Sequence, residues 1–366
     1  MTGRAFRGYA APMKSTTNAR PPSSTRGPNG PGVTSPRAGR ATVKITDVAA
    51  AAGVAPMTVS RVINTPDRVA ADTAIRVREA ILRLGYVPNM IAGGLSSRRS
   101  RMVAAVVPTI AHPMFSEMVL SFTDVLRAAG YQVMLTVSGY DGENEELIRA
   151  LLGRRPDALL LTGVERPTGV RRMLSDAALP VVEIWDVTEH PTDMLVGFDH
   201  AEVGAAVAAT FAAKGHDRYA TIGATDARAQ TRIEGFRKYI RQSGLPLLPP
   251  VTVPAPSTIM SGREAIRGLL PQLDRRTALC CSSDLLAFGA MTEARIQRIA
   301  VPDRLAVCGF GNFELGAACE PPITTVNVEG GTIGRTAASF LLERLAGREG
   351  PRKTQVPFHI VERATT

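Results

Sequence analysis

The chain is short of long apolar runs: nowhere in its 366 residues do the eighteen or so uncharged apolar residues of a membrane span follow one another. The amino terminus, MTGRAFRGYAAPMKS, has no apolar signal core either, so a cytoplasmic protein is expected. Cysteine is scarce. Cys280, Cys281, Cys308 and Cys319 have neither a zinc-ligand spacing nor a CxxC redox pair, and are read as reduced, mostly buried residues with no metal among them. No G-x-G-x-x-G or GxxxxGK[ST] loop follows any strand candidate, so no nucleotide or other cofactor is indicated. His112, His190, His200, His216 and His359 are scattered without a serine, cysteine or metal constellation, which argues against an enzyme.

Acidic residues are missing from one region in particular. Residues 1–40 hold seven basic residues and no acid, and residues 41–101 hold nine basic and four acidic, so the first 101 residues carry +12 of a total of +10. The remainder is therefore near neutral at −2, and the cation excess that would meet phosphates lies at the front. Residues 1–40, rich in Pro, Gly, Ser, Thr and Arg, are expected to form a disordered basic tail.

What is present begins at KITDVAAAAGVAPMTVSR, residues 44–61. Thr46 can cap a short helix with Val48, Ala49 and Ala52 on one face, and Gly53 ends it. Pro56 suits a first helical position, and Val59, Val62 and Ile63 supply the buried side of a second helix. A third helix, Asp72 to Leu84, offers Ile75, Val77, Ile81 and Leu84 to a small core. This is a helix-turn-helix pattern, although Ala-rich helix pairs also occur in proteins that never touch DNA.

The run VKITDVAAAAGVAPMTVSRVIN, the third helix, GYVPN and Leu95 resemble the headpiece of the LacI family of bacterial transcription regulators, and the resemblance continues through the rest of the chain. It implies a headpiece over residues 41–88, a hinge helix and linker over 89–101 and an effector-binding core over 102–366. It implies base reading by Pro56, Met57 and Arg61, support from Thr58 and Ser60, and further DNA contacts from Thr46, Asn64, Tyr86 and Asn89. Arg can give a bidentate bond to guanine, whereas Pro and Met offer only apolar contact, so most hydrogen-bonded discrimination falls on Arg61. Met57 could instead be a core contact. Leu95 matches the leucine that wedges into the minor groove; Gly93 and Gly94 before it disfavour a helix that is not held on DNA. Ala55 and Ala70 stand where relatives usually have a capping Ser, each absence costing about 1 kcal/mol.

From Met102 onward, strands and helices alternate, as in a doubly wound α/β core. Strand candidates are Val103–Val107, Tyr131–Val137, Ala158–Leu161, Pro180–Ile184, Met194–Val196, Tyr219–Ile222, Ala278–Cys281 and Leu305–Phe310. The resemblance implies a fold like that of periplasmic sugar-binding proteins, with one lobe from 102–215 and 325–349 and another from 216–324 and 350–366. By matched position, Phe115, Trp185, Arg232, Asp284 and Asn312 are the candidate effector residues. Arg232 could also be a surface ion pair, Phe115 and Trp185 core, and Asp284 a helix cap. Gly311 stands where many sugar-binding relatives have an acid. With Arg232 retained, that favours an anionic effector. APMTVSR, GYQVML, PVVEIWD and VGFDH look closest to gluconate-type repressors, so gluconate or a related sugar acid is the expected effector.

The expectation is a homodimeric repressor on near-palindromic double-stranded operator DNA, released by its effector. Absence of closing leucine heptads favours a dimer over a tetramer. A regulator answering to a neutral sugar or nucleobase, and an exported sugar-binding protein without a DNA role, are the alternatives.

Overall fold

A computed structural model describes residues 43–87, 99–140 and 145–366. The expected tail at 1–40 and the hinge at 89–97, with Asn89 and Leu95, lie outside the described residues. The chain divides into two compact units, one ending at Pro88 and one beginning at Asn89.

The first unit contains α1 (Ile45–Ala52), α2 (Pro56–Asn64) and α3 (Ala71–Leu84). Its core joins Val48, Ala49, Val59, Val62, Ala74, Val77 and Ala80, with Ile63, Ile81, Leu84 and Tyr86 packed around them. Two expectations need correcting. Thr46 is exposed inside α1 and caps nothing; the cap position is Lys44, whose N–H donates to Asp47 Oδ2 at 2.8 Å. Ile75 is 51% exposed, because the stripe that packs inward runs through Ala74, Val77, Ile81 and Leu84, about 100–180° round the helix from it. Ala55 and Ala70 occupy the cap positions of α2 and α3, and neither helix has a side-chain cap.

The second unit is built on two six-stranded sheets. In the first the order is β11-β5-β4-β3-β1-β2, all parallel, from β1 (Met102–Val107), β2 (Gln132–Val137), β3 (Ala158–Thr162), β4 (Val181–Ile184), β5 (Met194–Gly197) and β11 (Lys353–Gln355). In the second the order is β12-β10-β9-β8-β6-β7, from β6 (Arg218–Ala224), β7 (Val251–Val253), β8 (Thr277–Cys281), β9 (Leu305–Phe310), β10 (Thr324–Val328) and β12 (Phe358–Val361), of which only β12 runs antiparallel. The central strands are continuous apolar runs, as burial on both faces demands: all of Leu159–Leu161 and Ala278–Cys281 are buried.

Helices α4 (Pro113–Ala128), α5 (Glu145–Leu152) and α6 (Thr168–Ala177) belong to the first lobe, and α8 (Ala227–Gln242), α9 (Ile259–Leu269), α10 (Asp284–Ile296) and the short α11 (Glu314–Ala318) to the second. Three elements, α7 (His200–Ala213), β10 and β11, depart from the expected boundaries, whereas α12 (Gly330–Leu345) keeps to its expected lobe. Helix α7 lies along α8, so closely that a Cβ on Gly204 would strike the Arg232 carbonyl and one on Gly235 the Ala201 carbonyl. It therefore goes with the second lobe, although it precedes residue 215. Strand β10 pairs with β9 in the second sheet, not with the first lobe, while α12 packs on α4 and β11 joins β5 in the first. The chain thus crosses between lobes near Phe198–Asp199, Glu329 and Val356–Pro357.

All four cysteines are free thiols, and three are buried. Burial pushes Cys280 up to about 12 and Cys281 and Cys308 well above the ordinary thiol range, so these three are inert at neutral pH. No helix among the described residues is long and apolar enough to cross a membrane, and no cluster there could hold a metal ion.

Candidate functional site

On the first unit, α2 turns Val59 and Val62 inward, and that phase leaves Pro56, Met57, Arg61 and Asn64 exposed. Met57 is 63% exposed, which removes the core reading of it. Met57, Arg61 and Asn64 follow one another at spacings of four and three and share a face. Among the described residues no carboxylate pairs with Arg61. Asn64 Nδ2 donates to the Ser60 carbonyl at 3.0 Å, while Thr58 and Ser60 are half-buried beside the stripe. The result is a short helix presenting a free guanidinium and an apolar side chain, with its N-terminus open.

On the second unit, a cavity of about 570 Å³ including its solvent-open part lies where the carboxyl ends of both sheets meet, the position expected of ligands in parallel α/β sheets. Phe115 on α4, Trp185 after β4 and Arg232 on α8, three of the five candidate effector residues, line it. The Phe115 and Trp185 rings lie tilted to each other at 55°, 4.9 Å between centroids; both are buried and both form cavity wall. Arg232 is buried and is not a surface ion pair. Its guanidinium lies 3.9 Å above the Phe310 ring, donates from Nη2 to the Ser282 carbonyl at 2.9 Å and contacts His200 Nδ1 from Nη1 at 2.8 Å. Arg232 Nε has no partner, and among the described residues no carboxylate lies within ion-pair distance of the group. Burial draws Arg232 down to about 10, although Asp226 opposes this.

The Trp185 indole N–H is likewise buried without a partner. Its backbone has φ 75°, a left-handed conformation unusual for a bulky residue and one that the surrounding structure must hold. His200 Nε2 lies 2.9 Å from the Trp185 carbonyl and 3.3 Å from Asp186 Oδ1. Burial drives His200 down to about 4, Asp186 opposing and Arg232 assisting. Burial also pushes Asp186 upward, but the His200 bond and the Arg228 charge outweigh it and hold its carboxyl below the usual range.

The other two sequence candidates do not line the cavity. Asp284, the first residue of α10, is buried beneath it: Oδ1 accepts from the Thr325 hydroxyl at 2.6 Å and Oδ2 from the Phe313 N–H at 2.7 Å. It does not cap its helix, since Ser283 holds the cap. Asn312 is also turned away, its side chain bonded to Arg363 at 2.5 Å and Asn327 at 3.3 Å. The reason lies in the backbone. Gly311 at φ 123° and Asn312 at φ 51° swing the chain so that Phe313 reaches the cavity instead. A Cβ at 311 would strike the Phe313 ring and would take a φ that L residues rarely adopt, so an acid there requires the loop to shift. His112, His200, Tyr140, Asp226 and Arg228 also line the site and were not singled out from sequence. Their signal was position, just past a strand or at a helix start.

Residues 44–89 match the model of bacterial regulatory proteins of the lacI family, and residues 208–366 a periplasmic binding protein-like domain. The HTH-type transcriptional regulator GntR of Pseudomonas aeruginosa is 37% identical over 312 residues, 83% of this chain and 90% of that one. The chain belongs to the LacI family. A solved LacI-family regulator from Silicibacter pomeroyi is 31% identical and superposes with a TM-score of 0.82, covering 88% of this chain and 99% of its own. The lac repressor dimer solved with operator and the anti-inducer ONPF shares the fold, with a TM-score of 0.77 at 23% identity over 89% of this chain and 99% of that one. This LacI-family member is a DNA-binding transcription regulator, and its relatives are regulators and not enzymes. The headpiece match sets aside the exported binding protein.

Proposed function

We propose that this regulator is a cytoplasmic homodimeric repressor whose effector is gluconate or a closely related sugar acid. The observation that carries the choice of effector is Arg232: a buried cation, facing a ligand cavity, with no anion of its own. Leaving a charge so placed is costly, and a ligand carboxylate offsets that cost with charge-assisted bonds. The nearby acids are already engaged. Asp226 accepts from the Ala229 N–H at 3.0 Å, and Asp186 is held by His200 and by Arg228 at 3.4 Å. The unpartnered Trp185 N–H is a second donor suited to an acceptor oxygen, and the Phe115, Phe310 and Phe313 rings suit the C–H faces of a polyol.

DNA reading is assigned to Pro56, Met57 and Arg61, with Thr46, Thr58, Ser60, Asn64 and Tyr86 in support and Asn89 and Leu95 following. A twofold dimer reads a near-palindrome, and an effector that favours one degree of lobe closure disfavours the paired headpieces. Titration calorimetry tests the effector: gluconate binds at least about tenfold, or 1.4 kcal/mol, more tightly than neutral hexoses or a purine base. Binding of a neutral hexose alone refutes the anion reading.

A further inference from the structure

We propose that His200 is a positioning residue of the effector site, joining the arginine anchor of one lobe to the strained tryptophan of the other. Hydrogen-bond polarity leads to this. A guanidinium can only donate, so the 2.8 Å contact from Arg232 Nη1 makes His200 Nδ1 an acceptor. The proton of the neutral ring therefore sits on Nε2, which faces two acceptors, the Trp185 carbonyl at 2.9 Å and Asp186 Oδ1 at 3.3 Å. Protonating Nδ1 would set donor against donor at Arg232. The low pKa from burial agrees, as does placement in the first turn of α7, where the helix dipole disfavours a cation.

The consequence is mechanical. Trp185 follows β4 in the first lobe, whereas Arg232 and His200 are on packed helices of the second. His200 also stacks edge-on against Phe198, at 4.4 Å, beside one of the inter-lobe crossings. It pins the carbonyl of the strained Trp185, and it fixes Nη1 of the Arg232 guanidinium that lines the cavity. An imidazole in this tautomer is mimicked by an amide: Gln can accept from Arg232 through oxygen and donate to Trp185 through nitrogen.

The proposal rests on the anionic reading only for its affinity arm. Trp185 is the chain's single tryptophan, so its emission reports the wall directly. His200→Phe, which keeps a ring but no polar atoms, is expected to red-shift that emission, raise acrylamide quenching about twofold and weaken gluconate binding about tenfold; His200→Gln should restore all three. The ¹⁵N imidazole spectrum of the unsubstituted protein, with the His200 signal assigned by its loss in His200→Gln, should show the neutral Nε2–H tautomer. A protonated Nδ1, unchanged emission in His200→Phe, or a Gln variant that folds but behaves as Phe does would overturn the proposal. If the unsubstituted protein ignores gluconate, the effector reading fails, while emission and tautomer still decide the role of His200.

Discussion

Arg232→Met is expected to weaken gluconate binding by about a hundredfold, close to 2.7 kcal/mol, while changing the weaker affinity for neutral hexoses by less than about threefold. Met preserves most of the side-chain length and the apolar contact with Phe310 but removes the charge and all donors. A carboxylate loses charge-assisted bonds that no other cavity residue can replace, because Arg228 is already shared with Asp186. Arg232→Lys should fall between the two: its charge remains, but a single ammonium cannot satisfy Ser282, His200 and a ligand in the same planar arrangement. Calorimetry with the two ligand classes separates the outcomes. Equal losses for anion and neutral sugar would mean that Arg232 only supports the wall.

Asp284→Asn should remove a pH dependence of stability that the unsubstituted protein shows between about pH 4 and 6. Burial raises Asp284 from 3.8 to about 6, and the Thr325 and Phe313 bonds and Arg363 reduce the rise without cancelling it. The folded state therefore holds this proton more tightly than the unfolded chain does. Below the unfolded value both states are protonated and the fold is favoured in full. As pH rises toward the folded value, stability falls, by an order-of-magnitude figure of about 3 kcal/mol for this group. Asn keeps an acceptor for the Phe313 N–H and can donate to Thr325, so the variant gains stability relative to the parent mainly above about pH 6. Urea unfolding on either side of that window reads the change; an Asn effect that is the same at both pH values would contradict the assignment.

Local pattern carried much of the architecture. The spacing of Val48, Ala52, Val59 and Val62 specified the helix pair, and the runs at Val103–Val107 and Leu305–Phe310 fell on strands. Arg232, Trp185 and Phe115 were reached through the family resemblance, by matched position, and all three line the cavity. Asp284 and Asn312 were not, because facing depends on the dihedral angles of Gly311 and Asn312 and on a hydroxyl 41 residues away at Thr325. The lobe boundaries failed for a similar reason. Helix α7 is alanine-rich and apolar around much of its surface, and its close packing on α8, through Gly204 and opposite Gly235, is what assigns it to a lobe. Strands of three to five residues, such as β10 and β11, likewise take their partners from the whole fold and not from their own composition.

The proposed repressor is a cationic front module that reads DNA sequence under the control of a hinged anion receptor. Fluorescence anisotropy tests it most directly, using one duplex selected by the protein from a random pool and one scrambled duplex, at one fixed near-physiological salt concentration, with and without gluconate. At least about a thousandfold preference for the selected duplex is expected, with a large loss of that preference when gluconate is added. Equal affinity for the two duplexes, unmoved by the sugar acid, would contradict it.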